Sequence, residues 1–259
     1  GTFVKNFTVN TLVNNRTLLL VGLLIQLVVI PISIALVKLL SKDKYTQNIF
    51  LYGLCFPNYG FMGNAIVSAL FPKWFMEYLI FCLVLNFFLY LWGIPVLLLG
   101  ETAQKSSILM RLKNLINPMF ICMVLGMIWG ISGLETPAFA QSILDSLGAC
   151  MSPVAMLLTG MVIAKSKLSE VLCHKNIYVI SVVRLIVYPL IFLGIARFFK
   201  LEGVLLICGL CSLSMPLGLN TIVIPSAYGR DTTKASGMTI VSHLLACITI
   251  PLFFMFLGN

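Results

Sequence analysis

The sequence predicts an all-α polytopic membrane protein, an inverted repeat built around two crossing broken helices, with eight spans present of an expected ten. Three observations carry this expectation. Of 259 residues, 60% are hydrophobic and 10% charged, against about 25% charged in soluble domains. Several apolar runs reach the roughly 20 residues a helix needs to cross a bilayer, without the alternating short strands of a membrane barrel. Two of those runs are interrupted, at Cys55-Phe-Pro-Asn-Tyr-Gly-Phe-Met-Gly-Asn64 and at Ser214-Met-Pro-Leu-Gly-Leu-Asn220. Proline removes a backbone donor and blocks a carbonyl one turn back, and glycine loosens the turn after it. In lipid such a break persists only inside protein or beside a watery cavity.

Taken in order, residues 1–16 are polar, and the first span runs from about Thr17 to Leu40 with Pro31 as a kink. Lys42, Asp43 and Lys44 form a short basic loop before the first broken span, 47–71, which Pro72-Lys73-Trp74 closes. The third span covers about Tyr78 to Leu99, and a basic loop follows from Glu101 to Leu115. Asn117-Pro118 opens the fourth span. The fifth, about Ile143 to Ala164, is broken or kinked at Pro153, with Asp145 as a helix-start residue near the outer interface. The sixth, about Ile177 to Phe198, carries Arg184 and Pro189; the seventh is the second broken span, 203–228; the eighth runs from about Ala235 to Leu257. These spans group as a first repeat over 1–100, two further spans within 101–175, and the remainder of the second repeat over 176–259.

The net charge of +9 comes from basic residues in short loops, which reads as a topology signal and not as a nucleic-acid surface. With eight spans, eleven basic residues fall on one side and five on the other, Arg184 being set aside as intramembrane. The richer side is cytoplasmic, so both chain ends are expected outside the cell membrane. Asn6-Phe-Thr and Asn15-Arg-Thr match the short glycosylation pattern. Cys208-Gly-Leu-Cys211 has ligand spacing, but no second pair or nearby histidine completes a set. Neither metal nor cofactor is expected, Cys208 and Cys211 read as small buried hydrophobes, and Cys173 stands alone in a loop.

The two breaks belong to a repeat. Gly53-Leu54-Cys55 recurs as Gly209-Leu210-Cys211, Asn64 as Asn220, Ile66-Val67 as Ile222-Val223 and Ile94-Pro95 as Ile250-Pro251, always 156 positions apart. Six of the fifteen positions from Gly53 to Val67 are identical in the copy. Leu27-Val-Val-Ile-Pro31 also matches Leu185-Ile-Val-Tyr-Pro189 after a two-residue slip. Partners lie five span steps apart, an odd number, so the copies run in opposite senses. Such inverted repeats, with paired broken helices at the midplane, point to a transporter binding site. The fourth and fifth spans lack partners, so two more are expected before residue 1.

The breaks also carry chemistry. Amides around Gly60 to Gly63 and Gly218 to Asn220 begin the second half-helices and lack helical acceptors. In an inverted repeat their positive ends converge, which favours an anion, most simply a carboxylate. Asn58, Asn64 and Asn220 add neutral amide donors. Pro57, Asn58, Gly60, Gly63, Asn64, Pro216, Gly218 and Asn220 are therefore the candidate substrate-binding residues. Elsewhere, Arg184 is expected to snorkel to the cytoplasmic interface more than to contact ligand, and His243 to be hydrogen-bonded packing. No carboxylate lies at the expected midplane, and no paired aspartates, Gly-x-Ser-x-Gly or His-Glu-x-x-His suggest an enzyme.

Pro57-Asn58-Tyr-Gly-Phe-Met-Gly-Asn-Ala-Ile, Asn117-Pro118 with Gly126, Pro153 with Gly160, and Pro216-Leu-Gly218 before Pro225-Ser-Ala-Tyr together resemble the auxin efflux carrier family, which includes bacterial permeases for malate and malonate. The resemblance implies ten spans in two inverted five-helix repeats. It makes spans four and five a scaffold and the other six a transport domain, with the substrate carboxylate at Pro57-Asn58 and at Pro216 with Gly218. Asn64 departs from the small residue or proline common in that family. The expected function is a permease for small organic anions in the cytoplasmic membrane, leaving room for a homodimer through the scaffold spans. A sodium-coupled carrier of related fold and a non-transporting ligand sensor are the alternatives.

Overall fold

The computed structural model describes residues 7–100, 118–164, 169 and 172–255, and every regular element among them is a helix. α1 (Val9–Asn14) is a short helix begun by Thr8, whose hydroxyl accepts the Thr11 amide. α2 (Arg16–Leu40) continues through Pro31. At about 1.5 Å per residue it is long enough to cross a bilayer. α3 (Lys44–Cys55) starts at Asp43, whose carboxylate accepts the Thr46 amide at 2.9 Å. The Thr46 hydroxyl, and then its amide, hold the Asp43 carboxyl below the ordinary carboxylate range.

α3 stops where Pro57 forbids another turn, and α4 (Tyr59–Leu70) resumes after the break. Its first turn is wide, because the Asn58 carbonyl accepts from Gly63 five residues on, at 2.9 Å. A proline turn then leads into α5 (Pro72–Leu98), whose last ten residues are also wound wide around Pro95. Wide turns re-pair the backbone groups a proline sets free. α6 (Pro118–Ser132) and α7 (Ala138–Ala164) follow. α8 (Lys175–Phe198) widens over Val183–Val187, just ahead of Pro189. α9 (Gly203–Ser214) and α10 (Asn220–Ala227) flank the second break, and α11 (Thr233–Met255) completes the described chain.

α2, α5, α7, α8 and α11 are each long and apolar enough to span a membrane, whereas α4, α6 and α9 are shorter apolar helices. α2 packs on α3 and α5, and α8 packs in the same way on α9 and α11. Since lipid is as apolar as leucine, close packing holds such helices together more than water exclusion does. Gly53 and Gly209, at matching places in the repeat, show this: a Cβ would stand 2.7 Å from Leu217 Cδ2 at the first and 2.2 Å from Phe192 Cζ at the second. Cys208 and Cys211 are buried in the same core.

One boundary needs correction. The fifth span begins at Ala138, not Ile143, so Asp145 is not a helix-start residue. It sits two turns in and accepts from Gln141 Nε2 at 2.8 Å. Lys5, Asn6, the basic loop with its boundary at residue 101, Asn117, Lys165 and Lys167 lie outside the described residues.

Candidate functional site

The two breaks touch. The Asn58 amide donates to the Pro216 carbonyl at 2.8 Å, and Pro57 and Leu217 form an isolated antiparallel bridge. Gly218 makes the approach possible, since a Cβ there would lie 2.7 Å from the Phe56 carbonyl oxygen. The chain therefore crosses itself in opposite directions where each helix is interrupted.

Every helix end leaves carbonyls behind it and amides ahead of it without intrahelical partners. Behind the breaks, Arg184 is only 1% exposed and donates three ways: Nη1 to Leu54 O at 3.0 Å, Nη2 to Ser212 O at 2.7 Å and Nε to Met215 O at 3.4 Å. One guanidinium thus joins the carbonyl ends of α3 and α9, where the negative poles of two helices meet. The expected snorkelling is overturned: the side chain turns inward, and its positive charge answers those carbonyls. Gln26, the residue matching Arg184 in the repeat, donates to Cys55 O at 3.4 Å.

Ahead of the breaks, the amides of Gly60, Phe61, Leu219 and Asn220 find no protein acceptor among the described residues. All four residues line one cavity of about 210 Å³. Pro57, Asn58, Asn64 and Gly218 line it too. Of the eight candidate residues, Gly63 and Pro216 stand behind the wall. Gly63 packs under the Tyr78 hydroxyl with its amide bonded to Asn58 O, and Pro216 offers its carbonyl to Asn58.

The sequence profile of a family described as "membrane transport protein" matches residues 2–254. The chain belongs to this family. It is a multi-pass membrane transporter, and the resemblance to auxin efflux carriers holds. No curated protein matches the chain.

In this transporter the three asparagines differ. Asn58 is spent on its surroundings: Oδ1 accepts the Met62 amide at 3.4 Å, and Nδ2 donates to His243 Nε2 at 3.2 Å. Asn220 Nδ2 donates to the Tyr52 hydroxyl at 3.1 Å. The Asn64 side chain makes no protein hydrogen bond among the described residues, so its amide is open to the cavity. His243 is hydrogen-bonded as expected, with Nδ1–H donating to the Thr239 carbonyl at 2.8 Å.

The cavity also takes residues that sequence reasoning missed: Tyr59, Cys82, Asn86, Tyr90 and Met151. Asn86 accepts from the Tyr59 hydroxyl at 2.7 Å. An asparagine in mid-span is itself a signal, because polar groups are expensive there. Met151 brings α7 to the rim, and the neighbouring Ser152 hydroxyl donates to Phe61 O at 2.9 Å. None of the described residues lining the cavity is Asp, Glu, Lys or Arg.

Proposed function

We propose that this transporter is a secondary carrier that moves small organic anions, mono- or dicarboxylates, across the cytoplasmic membrane by alternating access. The observation that carries the proposal is the set of four unaccepted amides, from two helix starts, on one cavity without acidic lining. Each helix start carries a partial positive charge, of order half a unit, and suits an anion. Arg184 offsets the opposing carbonyl poles, so the positive ends dominate the crossing. Pro57 and Pro216 free the amides, Gly60, Gly63 and Gly218 allow the close approach, and Asn58, Asn64 and Asn220 orient or supply donors.

In this reading the spans form an inverted repeat, eight of ten, supported by the shared packing of α2 with α3 and α5 and of α8 with α9 and α11. The crossing domain moves against α6 and α7, the scaffold spans. α7 touches it through α4 and α10 beside an apolar cavity of about 440 Å³ lined by Leu147, Val154 and Leu158. The exposed α7 side chains Phe139, Leu157 and Met161 suit lipid or a second copy in a homodimer. Both chain ends face outside.

Uptake of labelled malonate, malate and succinate into proteoliposomes tests the proposal. Saturable flux of at least one is expected. Asn64→Ala removes an amide that holds nothing in the protein, so folding should survive. A lost hydrogen bond to a charged ligand is worth about 1.5–3 kcal/mol, so KM should rise roughly tenfold or more. Saturable binding without flux would make the protein a sensor, and flux that vanishes without sodium would make it a sodium-coupled carrier. An unchanged KM for every acid would remove Asn64 from the site.

A further inference from the structure

We propose that His243 is a proton-binding site coupled through Asn58 to the anion site, so that a proton and a carboxylate bind in each other's favour. The inference rests on the anion-carrier reading above and names the ion that travels with the anion.

The hydrogen-bond chain around His243 has only one consistent direction. The Thr239 carbonyl can only accept, so Nδ1 carries the hydrogen. The Met62 amide can only donate, so Asn58 turns Oδ1 to it and Nδ2 to the imidazole. In the neutral ring, Nε2 then holds a lone pair and accepts from Asn58 at 3.2 Å. Each of these three contacts then pairs one donor with one acceptor. Protonation at Nε2 ends that arrangement, because two N–H groups then face each other. Flipping the Asn58 amide fails to help, since Nδ2 would then confront the Met62 N–H.

A carboxylate in the cavity eases the conflict, because it accepts from Nδ2–H of Asn58 and its negative charge offsets the imidazolium that Asn58 separates from the cavity. Asn58 lines the anion cavity and His243 stands directly behind it. Protonation also places a cation beside a cavity whose lining has none. Charge-assisted hydrogen bonds are about twice as strong as neutral ones. By linkage, whatever the proton does for anion affinity the anion does for proton affinity.

The surroundings leave the proton to His243. α11 packs against α3, α8, α9 and α10, whose buried titratable groups are Tyr52, Cys55, Arg184, Tyr188, Cys208 and Cys211. None of these is a carboxylate and none is hydrogen-bonded to the imidazole; Arg184 is occupied by three carbonyls. Histidine is the side chain whose ordinary titration falls between pH 5 and 8. A second observation supplies a route. The buried hydroxyls of Ser236 and Thr239 have no hydrogen-bond partner among the described residues. They lie seven and four residues before His243, on the same face of α11, leading back to the helix end beside Arg230 and Lys234. Unpartnered hydroxyls are ready relays for a proton from that side.

The test uses the whole chain in proteoliposomes with labelled malate between pH 5.5 and 8, comparing wild type with His243→Gln and His174→Gln. Malate itself titrates identically for all three, so the difference isolates the protein. Wild type and His174→Gln should bind malate about tenfold more tightly at pH 5.5 than His243→Gln does, with the gap closing by pH 8. A glutamine oxygen still accepts from Asn58, so thermal stability should be kept. In lightly buffered solution near pH 7, malate added to wild type should draw protons from the medium. A His243→Gln profile matching wild type, or malate binding without proton uptake, overturns the coupling. Malate that neither binds nor moves at any pH in wild type or His243→Gln overturns the anion reading beneath it.

Discussion

Arg184 carries the sharpest consequence of a single side chain. Its three donors meet carbonyls from both interrupted helices, and each buried acceptor left unmade costs about 1–3 kcal/mol. Arg184→Met should therefore lower the thermal unfolding midpoint in detergent by many degrees. Arg184→Lys should fall between, because an ammonium keeps the charge but lacks the fork. A methionine variant melting with wild type would show that the guanidinium holds nothing. The sequence places this arginine eight residues inside its span, and at that depth reach to water and reach inward look alike. What decides between them is rotation about the helix axis, which the wide turn at Val183–Val187 resets. Asp145 is corrected by a simpler signal: α7 starts at Ala138, directly after Pro137, a proline in plain view ahead of the apolar run.

Among the elements, the crossing depends on two glycines in opposite ways. Gly218 faces the Phe56 carbonyl with no room for a methyl group, while beyond its chain neighbours and local helix backbone no described heavy atom lies within 4 Å of a Cβ placed on Gly60. Gly218→Ala should push the two breaks apart, reducing both stability and malate binding. Gly60→Ala should fold normally and weaken binding alone, as a methyl group enters the cavity. Parallel melting curves and binding isotherms separate the two effects, and equal loss of stability in both would refute the distinction. The breaks themselves were legible, because proline, glycine and asparagine act on their own backbone. Asn86 was legible only as a costly polar group in mid-span and Tyr90 not at all, since the face of α5 that meets the cavity is set by helices distant in sequence.

At the scale of the whole molecule, the basic-residue asymmetry predicts which side each loop faces. Cys173 is exposed between α7 and α8, on the side expected to be cytoplasmic. With the other cysteines replaced, a membrane-impermeant maleimide should label Cys173 in inside-out vesicles and spare it in right-side-out ones. The reverse pattern would invert the orientation, and with it the side from which His243 takes its proton. The all-helical membrane class was legible from composition together with the length of the apolar runs. The family came from short motifs spread along nearly the whole chain. Which wall encloses the cavity was not legible, because α7 joins it through Met151, whose neighbours in sequence say nothing of what it faces.

The threefold hydrogen bonding of Arg184 also decides where this protein can yield. It rivets the carbonyl ends of two severed helices into one stiff part, so shear inside the crossing would tear three hydrogen bonds at once. Against α7 the crossing is held by the Ser152–Phe61 hydrogen bond beside a loosely filled apolar gap. Compliance is therefore expected along that seam, and the cavity proposed for the anion, which reaches its rim at Met151, lies where the stiff part meets the slack one.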